Sequence, residues 1–158
     1  MYKHILLPID GSALSRQAIA SAMLFAKNCG ASVTALHVIP LPHEDLLEAW
    51  LHHDPGFAQR QQAMFDRLAD EYLSFAANSA LAEGIPCHCR KVQANEPWRA
   101  IVETAERQPC DLIYMASHGW QGGGERLPGS ETLKVLEYCT VPVLVYKPAG
   151  ARSHTSNQ

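Results

Sequence analysis

The segment best suited to hold an anion begins with Ala116, Ser117, His118 and Gly119 and ends, after nine further residues, with Gly129 and Ser130. They connect a hydrophobic run at 111–116, typical of a buried strand, to a segment with helical spacing that starts near Ser130. The free N–H groups and the positive dipole end of a helix N-terminus favour a negative charge. Glycine allows a phosphate to approach the backbone closely, because it has no Cβ. The spacing therefore predicts a phosphate site.

The same loop also has an explanation that needs no ligand. Ser130 can serve simply as the N-cap of the helix, and turn-rich loops before capped helices are common. Three consecutive glycines at 122–124, followed by Glu125, make the loop costly to order, at about 1 kcal/mol for each residue fixed. Arg126 can pair with a phosphate or remain solvated. The loop by itself leaves both interpretations open.

Strand and helix patterns alternate along the whole chain. Strands are predicted at 3–9, 32–39, 86–92, 110–116 and 142–147, and helices at 12–29, 57–83, 96–107 and 130–138. This alternation, with nearly continuous apolar strands, indicates a parallel sheet covered by helices on both faces. The helix at 57–83 is predicted to bury a stripe formed by Met64, Leu68, Tyr72, Phe75 and Ser79. In such α/β sheets, ligands bind beyond the carboxyl ends of the strands, where Asp10 follows the first strand.

Composition limits the size and the partners of the fold. A chain of 158 residues, 47% of them hydrophobic, is long enough for one core and too short for two ordinary domains. A net charge of −3 argues against a nucleic acid or an anionic membrane as the main partner. No apolar run approaches the roughly 20 residues that span a bilayer, and the start of the chain is typical of a strand, not a signal peptide. We expect one cytoplasmic domain at 1–148 and a disordered polar tail at 149–158.

Side chains that can ligate a metal are concentrated in two segments. The first contains His43, Glu44, His52, His53 and Asp54, and the second contains Cys87, His88 and Cys89. Cys87 and Cys89 point to one face of a strand, but structural zinc sites usually space their paired cysteines further apart. The five cysteines are odd in number and lack framework spacing. We therefore expect reduced thiols and no zinc site built from protein ligands alone.

Acid–base catalysis has few candidates. His37 lies on a strand, where a histidine is usually a satisfied core residue, and His118 is expected to shape the loop. No nucleophile is apparent together with a base and an orienting group. The chain also lacks a P-loop with its lysine, a His-Ile-Gly-His motif and a Ser-Gly-Gly-x-Asp-Ser loop. An enzyme is therefore the least favoured function class.

Several segments together resemble the universal stress protein family. They are the opening KHILLPIDGS at 3–12, LHVI at 36–39, the central loop at 116–130 and the closing VPVLV at 141–145, in order and at the expected spacing. The resemblance covers roughly residues 2–148. It implies an open five-stranded parallel sheet of the adenine nucleotide alpha hydrolase-like type, with strand order 3-2-1-4-5. Asp10 and the 116–130 loop would then face each other across the reversal of strand order.

The resemblance also implies a set of site residues. The ATP signature of the family is glycine, two residues, glycine, nine residues, then glycine with serine or threonine; this chain has Ala116 at the first position, then Gly119 and Gly129-Ser130. The phosphates would be held by Gly119, Gly129 and the backbone N–H groups of Ser130 and Glu131, with the Ser130 hydroxyl available to a phosphate or Mg²⁺. The adenosine would contact Pro8, Asp10 and the backbone of Val38. Asp10 has an alternative role as a turn or cap residue.

By the same resemblance, the chain is a non-catalytic cytoplasmic homodimer that binds ATP, ADP or AMP. The dimer would pair through the edge strand at 142–147, and the nucleotide would bias the loops that select a client protein. The segment at 40–56 would cover either the site or an interface. The main alternative is a dimer that binds no nucleotide and serves only as a protein-interaction module.

Overall fold

A computed structural model describes residues 1–41, 54, 56–118 and 128–148 of the chain. The strands are β1 (His4–Pro8), β2 (Ser32–Ile39), β3 (Cys87–Gln93), β4 (Leu112–Ala116) and β5 (Val143–Tyr146). The helices are α1 (Ala13–Cys29), α2 (Phe57–Glu83), α3 (Pro97–Arg107) and α4 (Ser130–Tyr138). Strands and helices alternate as the apolar patterns predict, with bounds that differ from the predicted ones by no more than two residues.

The five strands form one parallel sheet in the order β3-β2-β1-β4-β5. The predicted fold class and strand order are therefore confirmed. Strand order reverses between β1 and β4, whose register pairs Leu6 with Ile113. The segments that follow these two strands consequently leave the sheet side by side at its carboxyl edge.

The two faces of the sheet bury separate hydrophobic clusters. Ile5 and Leu7 of β1 pack with α1 and α2 on one face, whereas Leu6 packs with α3 and α4 on the other. All three side chains are fully buried. Burying a side chain of this size contributes roughly 1.5–3 kcal/mol, so β1 is anchored from both sides and fixes the position of the residues that follow it.

The buried face of α2 differs from the predicted one. Its buried residues are the small or slender side chains Ala69, Leu73, Ala76 and Ala80. Met64 and Phe75 of the predicted stripe are 49% and 42% exposed. The true face is displaced by one position along the chain, which is a rotation of about 100° on a helix. Alanines at the contact let the helix lie close to the sheet, and the bulkier apolar residues flank it.

The two edge strands are less buried than expected for a sheet covered on both faces. β3 has the sequence CHCRKVQ, and most of its side chains are exposed or half-buried. β5 is apolar, and all of its side chains are half-buried. On α4 beside it, Val135 is buried, but Leu133 and Tyr138 of the predicted apolar pattern are exposed. Edge position explains both departures, because each edge strand has only one neighbouring strand.

Candidate functional site

A cleft of about 590 Å³ opens at the carboxyl edge of the sheet, where β1, β2 and β4 end and α3 and α4 begin. Most of the predicted site residues line it: Pro8, Asp10, Val38, Ala116, His118, Gly129, Ser130 and Glu131. The volume falls within the range of small-molecule sites. Two segments that are about 100 residues apart in the sequence, at Asp10 and at Ala116 to Glu131, thus share one cavity.

The turn from β1 into α1 holds Asp10 in place. Its Oδ1 accepts a hydrogen bond from the Ser12 amide at 2.9 Å, and its own amide donates to the Ser15 hydroxyl at 3.3 Å. Gly11 has a φ of 79°, and a Cβ built on it would lie 2.3 Å from the Tyr72 ring. A glycine is therefore required beside Asp10. The alternative role of Asp10 as a turn residue is present in the structure, and it places the carboxylate at the cleft.

His37 forms part of the cleft wall beside Val38. Its Nδ1 donates to the carbonyl oxygen of Ile9 at 2.8 Å, because a carbonyl oxygen only accepts. Its ring also meets the ring of Tyr72 edge-on, with 5.3 Å between the ring centroids. As predicted for a histidine on a strand, His37 is a satisfied structural residue that ties β2 to β1.

The start of α4 corrects the predicted role of Ser130. The N-cap is Gly129, which makes no side-chain capping bond, and Ser130 is the first helical residue. Gly129 has extended ψ of 163°, its amide donates to the Ser117 carbonyl at 2.7 Å, and its carbonyl accepts from Leu133 at 3.0 Å. Because its N–H is engaged, Gly129 does not offer that group to a phosphate. The first amides of the helix, from Ser130 onward, have no acceptor within their own helix.

Gly129 and His118 lie in close contact. A Cβ built on Gly129 would be 3.3 Å from both Cα and Cβ of His118. This is tight for a backbone neighbour, so a larger residue would displace the end of β4 from the start of α4. Glycine therefore brings the two ends of the central loop together.

Ser117 supports the site from behind the cleft wall. It is buried, its amide donates to the Tyr146 carbonyl at 2.9 Å, and its hydroxyl is hydrogen-bonded to His118 Nδ1 at 3.0 Å. Unlike its neighbours Ala116 and His118, it does not line the cleft. The structure thus places Ser117 in the frame of the site and His118 at its surface.

The side chain of Glu131 points to a second helix. Its Oε2 accepts a hydrogen bond from the backbone N–H of Trp98 at 2.9 Å, in the first turn of α3. Its other carboxylate oxygen lies 3.8 Å from the ammonium of Lys134. In the same turn of α4, the Thr132 hydroxyl donates to the Ala116 carbonyl at 3.2 Å. These bonds join α3, α4 and β4 around the cleft.

Sequence reasoning missed the wall contributed by α3. Pro97 and Ile101 line the cleft together with Met115 of β4. A proline at the first position of a helix is a recognisable start signal. Because Pro97 follows a predicted strand, the helix start is expected at the carboxyl edge of the sheet, and this was the available clue. The apolar wall can bury the flat face of a ring.

Other predicted features fall outside the described residues. These are Gly119, the glycines at 122–124, Glu125 and Arg126, most of the 40–56 segment and the 149–158 tail. Within the described part of the chain, no three His, Cys, Asp or Glu side chains are grouped closely enough to hold a metal ion. Among those same residues, no helix is both long and apolar enough to cross a membrane.

Comparison with known proteins gives a consistent result. The model of the universal stress protein family matches residues 1–147. The universal stress protein MJ0531 of Methanocaldococcus jannaschii is 32% identical over 156 residues, which cover 93% of this chain and 83% of that protein. The solved structure of the hypothetical protein MJ0577 is 28% identical and has a TM-score of 0.80, with 96% of this chain and 99% of that chain covered.

Some of the similar solved structures contain nucleotides. A universal stress protein in complex with cAMP is 22% identical, with a TM-score of 0.68 over 92% of this chain and 97% of that chain. A family protein from Arabidopsis thaliana with AMP bound is 13% identical, with a TM-score of 0.67 over 98% of this chain and 97% of that chain. At these identities the two structures share the fold of this chain.

Proposed function

The chain belongs to the universal stress protein family, and we propose that it binds an adenine nucleotide in the cleft between the ends of β1 and β4. The observation that carries this proposal is the meeting of Asp10 with the start of α4 in one cavity of about 590 Å³. Solved members with cAMP and AMP support the ligand class. The choice of the individual binding residues rests on the geometry of this chain.

The cleft suggests one orientation for the nucleotide. Ile101 and Met115 offer an apolar wall to the adenine, whose edge can bond the backbone of Val38. Asp10 is placed to accept hydrogen bonds from the ribose hydroxyls. The phosphates then lie at the start of α4, where the amides of Ser130 and Glu131 and the positive end of the helix dipole favour an anion.

The number of phosphates on the nucleotide determines how much of the central loop is needed to bind it. AMP needs only the α4 N-terminus, whereas the further phosphates of ADP and ATP would also need Gly119. The Ser130 hydroxyl is a ligand for a phosphate or for Mg²⁺, which ATP carries. Ala116, where the family has glycine, adds one methyl group at the cleft and is expected to weaken affinity without removing the site.

The proposed biological role is that of a nucleotide-responsive regulatory module in the cytoplasm. β5 is an edge strand with half-buried apolar side chains, and it would pair with a second copy of the chain. The nucleotide would shift the loops at 40–56 and 118–128 between states that a client protein distinguishes. The second candidate is the same dimer without nucleotide. Slow ATP hydrolysis has no residue assigned to promote it.

The direct test first asks whether the purified protein carries a nucleotide. Freshly purified protein is denatured and the released nucleotide identified by chromatography, after which ATP, ADP and AMP are titrated with and without Mg²⁺. We expect saturable binding that Gly129→Val abolishes, because its side chain collides with His118 and enters the cleft. Glu137→Val, the same residue type placed on the exposed far end of α4, should bind like wild type. Absence of nucleotide and of binding at millimolar ATP would favour the interaction module.

A further inference from the structure

A second groove lies between β3 and α3. Its volume is about 380 Å³, and the residues that give it its chemistry are Arg90, Val92, Arg99, Ala100, Glu103 and Arg107. None of the described residues that line this β3–α3 groove also lines the proposed nucleotide cleft, although α3 contributes residues to both. The groove is therefore a separate surface of the molecule.

The groove lies open because β3 is an edge strand and α3 packs over its neighbour β2. The Cys89 thiol of β3 donates to the Leu73 carbonyl of α2, with 3.6 Å between sulfur and oxygen. Arg90 follows Cys89, so its side chain lies on the opposite face of the strand. On that face, α3 packs against Leu36, the partner of Arg90 on β2, while Arg90 itself is exposed. A cation of the edge strand thus faces α3 across the groove.

The groove is positively charged in a chain whose net charge is −3. Three arginines and two glutamates line it. Arg99 pairs with Glu96 at 3.0 Å and Arg107 pairs with Glu103 at 3.6 Å, whereas Arg90 forms no ion pair with any described residue. Exposed pairs of this kind contribute little stability, so an incoming carboxylate displaces the two glutamates at small cost. The groove therefore favours an acidic partner.

The spacing of the arginines favours an extended peptide over a small anion. Arg99 and Arg107 are eight residues apart on α3, which separates them by about 12 Å along the helix axis. One phosphate or carboxylate is too small to contact both. An extended chain advances about 3.3 Å per residue and places alternate side chains on one face, so acids four residues apart lie about 13 Å apart on the same side. This distance matches the two arginines of α3.

We propose that the β3–α3 groove binds an extended acidic segment of a partner protein, with carboxylates four residues apart at Arg99 and Arg107. Arg90, on the β3 wall, donates to main-chain carbonyls of the segment between those acids. A nucleic acid is a poorer fit, because it carries a charge at every nucleotide and the glutamates of the groove repel it. The proposal does not depend on nucleotide binding, since the two cavities share no described lining residue.

The test titrates the full chain into a fluorescent, end-blocked peptide, Glu-Thr-Val-Thr-Glu, at low salt and without nucleotide, and follows anisotropy. We expect saturable binding that weakens about two- to fivefold in Arg99→Gln and in Arg107→Gln, the range for one exposed ion pair. The peptide Glu-Glu-Thr-Val-Thr has the same composition with adjacent acids, and it should bind more weakly by a similar factor. Arg67→Gln is the matched control, because Arg67 is exposed on α2, on the other face of the sheet, and should bind like wild type.

Amide chemical shifts locate the bound peptide, and we expect them to change at Val92, Ala100 and Thr104 of the groove. The proposal is overturned by no binding to wild type, by equal binding of the two peptides, or by an equal loss in Arg67→Gln. Tighter binding of a single-stranded RNA oligonucleotide at the same arginines would also overturn it. Since the substituted arginines are exposed, each variant should fold, and circular dichroism verifies this.

Discussion

The starts of α1 and α4 both lie at the cleft, and the two are built differently. At α1, the Ser12 hydroxyl accepts a hydrogen bond from the Ser15 amide at 3.1 Å, and Asp10 accepts from Ser12. At α4, the N-cap is Gly129, which makes no side-chain bond, and the acid of the first turn, Glu131, serves Trp98 of α3. Among the described residues, a side chain thus caps an amide at one helix start, and no side chain does so at the other.

This difference indicates which end would receive the phosphate of the proposed nucleotide. A side-chain cap is worth about 1 kcal/mol, so α4 forgoes that stabilisation in the free protein. A phosphate oxygen at the same position restores it and adds a charge that the helix dipole favours. The α1 side instead offers a fixed carboxylate, which suits hydroxyl or amino groups and repels phosphate. The asymmetry of the two ends would therefore orient a nucleotide bound as proposed.

The largest expected effect comes from breaking the α1 side at its glycine. Gly11→Ala should lower the free energy of unfolding by about 3 kcal/mol, because a Cβ at positive φ is strained and collides with the Tyr72 ring. Gly30→Ala is the matched control, since its φ is also positive and no atom lies within 4 Å of the added Cβ. It should cost about 1–2 kcal/mol. Urea unfolding of both variants measures the difference, and equal losses would contradict the contact.

A smaller effect is expected from removing the cap of α1. Ser12→Ala should lower the free energy of unfolding by about 1 kcal/mol through loss of the hydrogen bond to Ser15. Nucleotide affinity should stay within about twofold, because this helix start is not the phosphate site. Calorimetric titration alongside denaturant unfolding separates the two. A tenfold loss of AMP affinity with an unchanged affinity for adenosine would move the phosphate to α1.

The acid at the α4 start provides a finer comparison. Glu131→Gln should strengthen nucleotide binding by about two- to fivefold, because it removes a negative charge that repels the phosphate by about 0.4–0.8 kcal/mol across roughly 5–10 Å of solvent. The effect should grow from AMP to ATP and shrink at high salt. Glu137→Gln removes the same charge near the other end of the helix and should change affinity little. Equal responses of the two variants would refute a site at the α4 start.

The smallest expected effect is a pH dependence of the free energy of unfolding that arises away from both helix starts. Burial, and secondly Asp111, raises the pKa of Cys110 from an ordinary value of 9.0 to about 11. The folded chain therefore holds this proton more tightly than the unfolded chain does. The stability that the protonated thiol contributes is complete below pH 9 and is lost as the pH rises toward 11. Cys110→Val should flatten that fall in denaturant unfolding between pH 8 and 10.5. An unchanged slope would mean that Cys110 keeps its ordinary pKa.

The sequence predicted the strands and segments that form the cleft better than the hydrogen bonds within it. Strand order and the meeting of Asp10 with Ala116 followed from alternating patterns and a family resemblance, because parallel strands place their carboxyl ends at one edge. The bond from Trp98 to Glu131 joins residues 33 positions apart, and no local pattern announces such a pair. The cap at Gly129 instead of Ser130 depends on backbone torsion, which a serine beside a glycine leaves open.

The buried face of α2 was missed for a different reason. Its apolar residues are spread around the helix, so the bulkier ones define a stripe that the structure leaves partly exposed. Alanines such as Ala69 and Ala76 carry the contact, because small side chains permit a close approach to the sheet. A hydrophobicity pattern gives these alanines too little weight.

The most direct test of the central claim compares amide hydrogen exchange at the two helix starts with AMP and with adenosine. The account predicts that AMP slows exchange at Ser130 and Glu131, that adenosine at equal occupancy does not, and that Ser15 changes equally with both. Slowing at Ser130 that is the same for both ligands, or slowing by AMP at Ser15 alone, would contradict the assignment of the phosphate to α4.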